Sequence, residues 1–425
     1  MFKKLTVLIF AIMMSLIIVG CRGAAPAADP APAPVETVAD EPADDVADAN
    51  DTADATQEDA TPAEDNLVVV EGTEGAEWRI GIITGTVSQG EEEFFASQNM
   101  LARFGADRIV TATYPDRFND EMEVTITNVL GLVGDGADAI VFVQAVPGTI
   151  ASIERTREEF PDRDVFFFVG VTHEPPVEVA QHADIAMISD DLSMGRVIME
   201  QAVAMGAETF AHISFPRHLG MENIARRRQL LEDTAAEFGI EFIDLTAPDP
   251  TGEAGISGTQ MFILENIPRW VEEHGENTAF FSTNCAMQEP MMTQIARYGG
   301  LYPLQCCPSP FHAFPAAFNI SMEGRDGDVA FLLEQTRAAV AEAGGTGRFS
   351  TWPVPINMLL VETGVMYSIE YLEGNIGRHD RAALTRIIND VASSFNTSVT
   401  LSNWPLDDGG YVENFYRVLS DFVTF

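Results

Sequence analysis

From Trp78 onward the chain alternates short, continuously apolar runs with longer amphipathic segments, and this rhythm restricts the fold more than any other feature. The runs lie at 79–85, 108–114, 139–146, 164–171, 185–189, 209–215, 241–245, 279–284 and 303–307, each rich in Ile, Val and Phe. Continuous apolarity over five to eight residues is what a strand buried on both faces requires. Between the runs, 90–104, 119–134, 149–160, 192–205, 221–238, 259–274 and 289–298 carry apolar residues at three- and four-residue spacing, as helices with one buried face do. Gly105, Gly206, Gly239, Gly275 and Gly299 stand where helix C-caps favour glycine. Strand and helix in strict alternation predict an α/β fold with parallel sheets and right-handed crossovers.

About four such units precede Asp190 and about four follow it, so two Rossmann-like lobes are expected, with 185–191 as a crossover. The expected boundaries are 71–190 for lobe 1, completed by about 319–425, and 191–318 for lobe 2. Segments 326–343, 355–372 and 381–395 are expected to be helical and 398–401 a short strand, while Trp404, Tyr411, Phe415 and Tyr416 are expected to pack rather than bind.

The first seventy residues read differently. Lys3 and Lys4 precede an apolar stretch of fifteen residues ending at Val19. At about 1.5 Å per residue it falls short of a bilayer core of about 30 Å, so 1–20 is expected to be a secretory signal. Ile18-Val19-Gly20-Cys21 resembles the bacterial lipobox, with Ile18 at a position usually held by Leu. That resemblance implies that Cys21 receives two or three acyl chains, palmitate among them, which bind a membrane far more firmly than one chain does. Residues 21–70 are rich in Ala, Pro, Asp, Glu and Thr, with 13 acidic residues against the single base Arg22. Such a segment cannot bury enough apolar surface to order itself and is expected to be a disordered tether.

From Asn66 onward 52 acidic residues face 21 basic ones, a net charge of −31. Nucleic acid and anionic membrane surfaces are not expected partners of so acidic a domain. Cys285, Cys306 and Cys307 form an odd set without CxxC spacing. They are expected to be small buried side chains in core strands, with a Cys285–Cys306 disulfide left open. His173, His182, His212 and His218 show no ligand spacing, so neither a metal nor a cofactor is assigned. No GxSxG elbow, P-loop, HExxH or GxGxxG follows a strand, and no enzyme is expected.

Three stretches resemble the type I periplasmic binding proteins, the fold shared by sugar-binding proteins of ABC importers and the ligand domains of LacI-type repressors. Arg79-Ile80-Gly81-Ile82-Ile83-Thr84-Gly85-Thr86 is similar to the opening strand and its ligand-facing loop. Gly134-Asp135-Gly136-Ala137-Asp138-Ala139-Ile140-Val141 is similar to the entry of the third strand. Asp190-Asp191-Leu192-Ser193-Met194-Gly195-Arg196 looks like the hinge acid and helix start of the sugar-binding members. More narrowly, 83–93 is similar to an uncharacterised family of clostridial-type lipoproteins with this fold. Val87-Ser88-Gln89-Gly90 replaces the aromatic-bearing first loop of sugar binders, so no pentose or hexose is implied. A signal and tether stand where a repressor's DNA module stands, which argues against a transcription factor.

In open parallel sheets, ligands bind beyond the carboxyl ends of the strands. That rule selects Thr86, Ser88, Gln89, Tyr114, Gln144 and His173 from lobe 1 and Asp190 at the crossover. From lobe 2 it selects Phe215, Arg217, His218, Thr246, Asn284 and Gln288, followed by Ser309 and His312. Hydroxyl and amide side chains suit a polar ligand, Tyr114 and Phe215 a ring face, and Arg217 an acid group. Ser88 equally suits a helix N-cap, and Arg217 and His218 a solvated loop. Asp190 is selected twice, by the strand-end rule and by the resemblance. The expected protein is a monomeric, extracytoplasmic, lipid-anchored solute-binding protein. It would capture a small molecule for an ABC permease, with a membrane sensor's binding protein or a lipid-anchored hydrolase as alternatives.

Overall fold

The computed structural model describes residues 78–250, 252–406 and 408–425, with the side chains of Ser88, Gln89 and Glu222 left outside that description. Cys21, the signal and the tether also lie outside the described residues.

Among the described residues, twelve strands run in chain order: β1 (Ile80–Thr84), β2 (Ile109–Thr113), β3 (Ala139–Ala145), β4 (Phe166–Thr172), β5 (Ile185–Ser189), β6 (Thr209–Ser214), β7 (Glu241–Thr246), β8 (Thr278–Ser282), β9 (Ser350–Thr351), β10 (Val399–Pro405), β11 (Tyr411–Ser420) and β12 (Val423–Thr424). They form two separate main sheets. The larger has the order β10-β11-β5-β4-β3-β1-β2, parallel throughout except for β10. The smaller has the order β7-β6-β8, parallel, and continues through a parallel bridge from Ala279 to Leu301 and another from Tyr302 to Phe349, beside β9. Each lobe therefore repeats one strand sequence, second-first-third-fourth-fifth, the doubly wound order whose first and third strands part at a ligand crevice. This is the type I periplasmic-binding-protein fold.

The apolar runs explain the burial. Every residue of β1, β6 and β8 is buried, whereas β7, at a sheet edge, has only exposed and half-buried positions. In lobe 1, Ile80, Ile82 and Phe168 face a core shared with Leu360 and Val361. Ile83, Ile140 and Phe167 face the opposite core with Val129 and Ile153. The helix Ile356–Leu372 presses on β3 and β4 at Gly364, where a Cβ would stand 2.7 Å from Phe168 Cδ1 and 2.8 Å from Val141 Cγ1. No larger residue fits at that contact without moving the sheet.

Three boundaries differ from expectation. The second lobe does not end at 318: its last parallel strand is β9, after the helix Val329–Glu342, and the chain then returns to lobe 1 with Ile356–Leu372. The tail does more than close lobe 1, because β11 inserts beside β5 and the terminal β12 pairs with β9 of lobe 2. The lobes are thus joined by three crossings, after Ser189, after Thr351 and after Ser420. Finally, 303–307 is not a strand; the fourth-strand contact falls just before it, at Leu301 and Tyr302.

Candidate functional site

The carboxyl ends of the two sheets border a cavity of about 470 Å³. From lobe 1 come Glu91, Glu92 and Glu93 on the helix Val87–Phe104, Gln144 near the end of β3, Val171 of β4, Ile188 and Ser189 of β5, then Asp191 and Asn357. From lobe 2 come Cys285, just after β8, and Cys306, Cys307, Pro308, Ser309, Phe311 and His312, beyond the fourth-strand position. A second cavity of about 500 Å³ shares Ile188, Ser189 and Asp191 and extends between Met221, Arg226, Trp404 and Arg417. Both volumes fall within the range of small-molecule sites, about 300–1,000 Å³. The lobes touch inside the first cavity, where the Ser309 hydroxyl donates to Glu92 Oε1.

Val171 sits at φ 51°, in the left-handed region that a β-branched side chain rarely enters. Such strain costs about 1–3 kcal/mol and gathers at functional sites. Here it turns the chain at the tip of β4, in the cavity wall. Gly90, also in the wall, stands where a Cβ would lie 1.5 Å from Glu93 Oε1, so any larger residue there must displace that carboxyl.

The acids of the wall carry less charge than the composition indicates. Burial pushes the Glu92 carboxyl up to about 8; the Ser309 hydrogen bond opposes this and neighbouring Glu93 adds to it. Burial raises Glu93 to about 6, opposed by its own amide and by Asn357, whose Nδ2 donates to Oε2 at 3.0 Å. Asp191 and Glu91 are raised chiefly by burial as well. Near neutral pH, Glu92 is mostly protonated and can donate a hydrogen bond, so the wall offers both donors and acceptors to a polar solute. Among the thiols, the hydrogen bonds from Cys306 and Cys307 lower the pKa of Cys285.

The residues selected from the sequence divide into two groups. Gln144, Ser309 and His312 line the cavity, and His173 stands behind Gln144 with Nε2 2.8 Å from its Oε1. Burial lowers the His173 pKa. The second group has structural work. Asp190 is buried and fully engaged: Arg417 Nη1 and the Ser193 amide donate to Oδ1 at 2.8 and 3.0 Å, and the Ser193 and Ser402 hydroxyls donate to Oδ2 at 2.7 and 3.1 Å. Tyr114 is buried behind Gly85 and meets Phe118 edge-on. Phe215 is fully buried, 4.1 Å from the His218 ring, and His218 Nδ1 lies 3.2 Å from Thr283 Oγ1. Arg217 is held by Asp249 through two bonds of 2.7 and 3.0 Å. Asn284 accepts from the Ala286 amide and caps the turn Cys285–Met287. Gln288 is fully buried and ties Ser282 to Tyr302. Thr246 is exposed at the end of β7, and Thr86 donates to Asp116 at 2.5 Å. The side chains of Ser88 and Gln89 lie outside the described residues.

Sequence inspection missed Glu92, Asp191, Asn357 and the cysteines. Glu91, Glu92 and Glu93 read as charges suited to a helix start. The expectation that all three cysteines are buried in core strands is corrected: Cys285 and Cys307 are exposed, only Cys306 is buried, and all three are free thiols outside the strands, Cys285 opening the turn Cys285–Met287. The strand-end rule, carried through the third and fourth units of lobe 2, is the signal that leads to the cysteines.

A family model described as a protein of unknown function, DUF3798, matches residues 78–350. An uncharacterized protein of Treponema pallidum (strain Nichols) is 35% identical over 190 residues, covering 43% of this chain and 85% of that protein. A second from the same organism is 32% identical over 163 residues, covering 38% and 74% respectively. Among solved structures, a candidate transcriptional regulator from Clostridium difficile 630 superposes with a TM-score of 0.74 at 17% identity, covering 82% of this chain and 99% of that one. At that identity the likeness concerns the fold alone. Among the described residues no helix is long and apolar enough to cross a membrane.

Proposed function

Because the chain belongs to the family described as a protein of unknown function, DUF3798, we propose its function from geometry: it is a solute-binding protein that captures a small polar molecule between its lobes. One observation carries this reading, the cavity of about 470 Å³ walled by strand ends of both sheets. A ligand held there contacts both lobes only when they are together, so its binding energy favours the closed arrangement over the open one. Three crossings form a hinge of the kind that such closure needs. Glu92, Gln144, Asp191, Ser309 and Asn357 supply directional hydrogen bonds, while Ile188, Ile356 and Phe311 supply an apolar floor.

The lipobox-like Ile18-Val19-Gly20-Cys21 and the acidic segment after it support an extracytoplasmic location with an acylated Cys21. A permease is the proposed recipient of the solute. A thermal-shift screen of sugars, nucleosides, purines and amino-acid derivatives tests the binding reading. A solute at about one hundred times its Kd adds about 2.7 kcal/mol of stability. A broad screen in which no compound raises the unfolding temperature counts against it.

A further inference from the structure

Cys285 stands 21 residues before the adjacent pair Cys306 and Cys307, yet the three thiols meet in space. Cys285 Sγ lies 3.4 Å from Cys306 Sγ and 3.8 Å from Cys307 Sγ, and the last two are 3.9 Å apart. This is a nearly equilateral triangle of sulfurs. Donors at the corners of a tetrahedron around a metal with bonds of about 2.3 Å stand about 3.8 Å from one another. His312 brings a nitrogen donor to two of the sulfurs: one of its ring nitrogens and the sulfurs of Cys285 and Cys306 all lie within 4.8 Å of one another. Its Nδ1 is 2.9 Å from the Cys307 carbonyl oxygen, which can only accept. Nδ1 therefore carries the ring proton, and Nε2 of the neutral imidazole keeps the lone pair that a metal takes. A backbone carbonyl fixing the tautomer of a ligating histidine is the usual outer partner of such a site.

We propose that Cys285, Cys306, Cys307 and His312 form a binding site for a thiophilic divalent ion of the zinc type, set in the lobe 2 wall of the cleft. Thiolate and imidazole are the donors that select such ions over Mg²⁺ or Ca²⁺. Each thiol that binds gives its proton to solvent. A disulfide would join only two of the three sulfurs and leave the third, and His312, without a role. Simple core packing does not account for the group either, because Cys285 and Cys307 are exposed.

The ion names a ligand class for the cleft, and in its location it rests on the solute-binding reading. The test uses the full chain, reduced and kept anaerobic, titrated with Zn²⁺ against a chromophoric chelator and separately with Cd²⁺. The expected result is one Zn²⁺ per chain and a sulfur-to-metal charge-transfer band with Cd²⁺. C285S, C307S and H312Q each weaken binding by about tenfold or more, and C21S leaves it unchanged. Cys285 and Cys307 are exposed, so their variants carry the test even where C306S fails to fold; circular dichroism checks each. The proposal is overturned by a chain that takes up no stoichiometric Zn²⁺, by binding that survives C285S and C307S, or, on later exposure of the Zn²⁺-loaded chain to air, by a Cys285–Cys306 disulfide formed by oxygen as readily as without the ion. A chain that binds an organic solute but no Zn²⁺ removes the metal site and leaves the solute reading standing. A chain that binds Zn²⁺ through these residues without any solute does the reverse.

Discussion

Asp190→Ala separates a structural from a ligand-binding role at the crossing between the lobes. The Asp190 side chain is 2% exposed and its Arg417 partner 14%, with 2.8 Å between them. Removing one member of a buried pair leaves the other charged and unpaired, at about 3–5 kcal/mol. The Ser193 and Ser402 hydroxyls lose their acceptor at the same time. At about 2 °C per kcal/mol for a large chain, calorimetry should record a fall of roughly 6–10 °C. Asp190→Asn keeps an acceptor for Ser193 and should lose less. In a double-mutant cycle with Arg417→Met the two losses should overlap rather than add, because both remove one interaction. An Asp190→Ala protein within about 1 kcal/mol of wild type would refute the structural account. Unchanged stability with lost solute binding would return Asp190 to the ligand.

Four further outcomes follow from the same contacts. Gly90→Ala forces the Glu93 carboxyl out of its place and should cost about 1–3 kcal/mol in urea unfolding, with most of the loss absent when Glu93 is also Ala. Glu93 has a folded pKa of about 6 against an ordinary 4.5, so the folded state binds the extra proton. Its contribution to stability is therefore full below about pH 4.5 and is lost as pH rises through about 6. At about 1.4 kcal/mol per pKa unit this is about 2 kcal/mol. Unfolding curves across that window should show wild type minus Glu93→Gln falling by about that amount; a flat difference contradicts the buried carboxyl. Arg217→Ala breaks an exposed pair that salt screens and should leave both the unfolding midpoint and the solute affinity in calorimetric titration unaltered. Gln144→Ala, by contrast, should weaken the solute by about tenfold, one lost hydrogen bond's worth, without a matching loss of stability.

Much of the fold was legible because burial on both faces leaves a mark on the chain. β1, reading Ile-Gly-Ile-Ile-Thr, has no polar residue before its tip, and its sequence run matches the strand to within a residue at either end. β11 was missed for the opposite reason. Its burial is mixed and it carries Glu413 and Arg417, so nothing local distinguishes a strand that pairs with β5 from a surface tail. The same long-range placement makes Arg417 the partner of Asp190, an ion pair 227 residues apart. The site was half legible. Gln144, Ser309 and His312 follow from strand ends alone. Asn357 arrives on a helix from beyond the second lobe, and the sulfur triangle needs two loops brought together by lobe 2's sheet, so neither leaves a local pattern.

Backbone hydrogen exchange, with and without a solute found in the screen, tests the central claim most directly. Slowed exchange should appear together at the end of β3, around Cys285, and across 306–312, because one bound molecule bridges both walls of the cleft. Slowing confined to a single lobe, or located away from these strand ends, would contradict it.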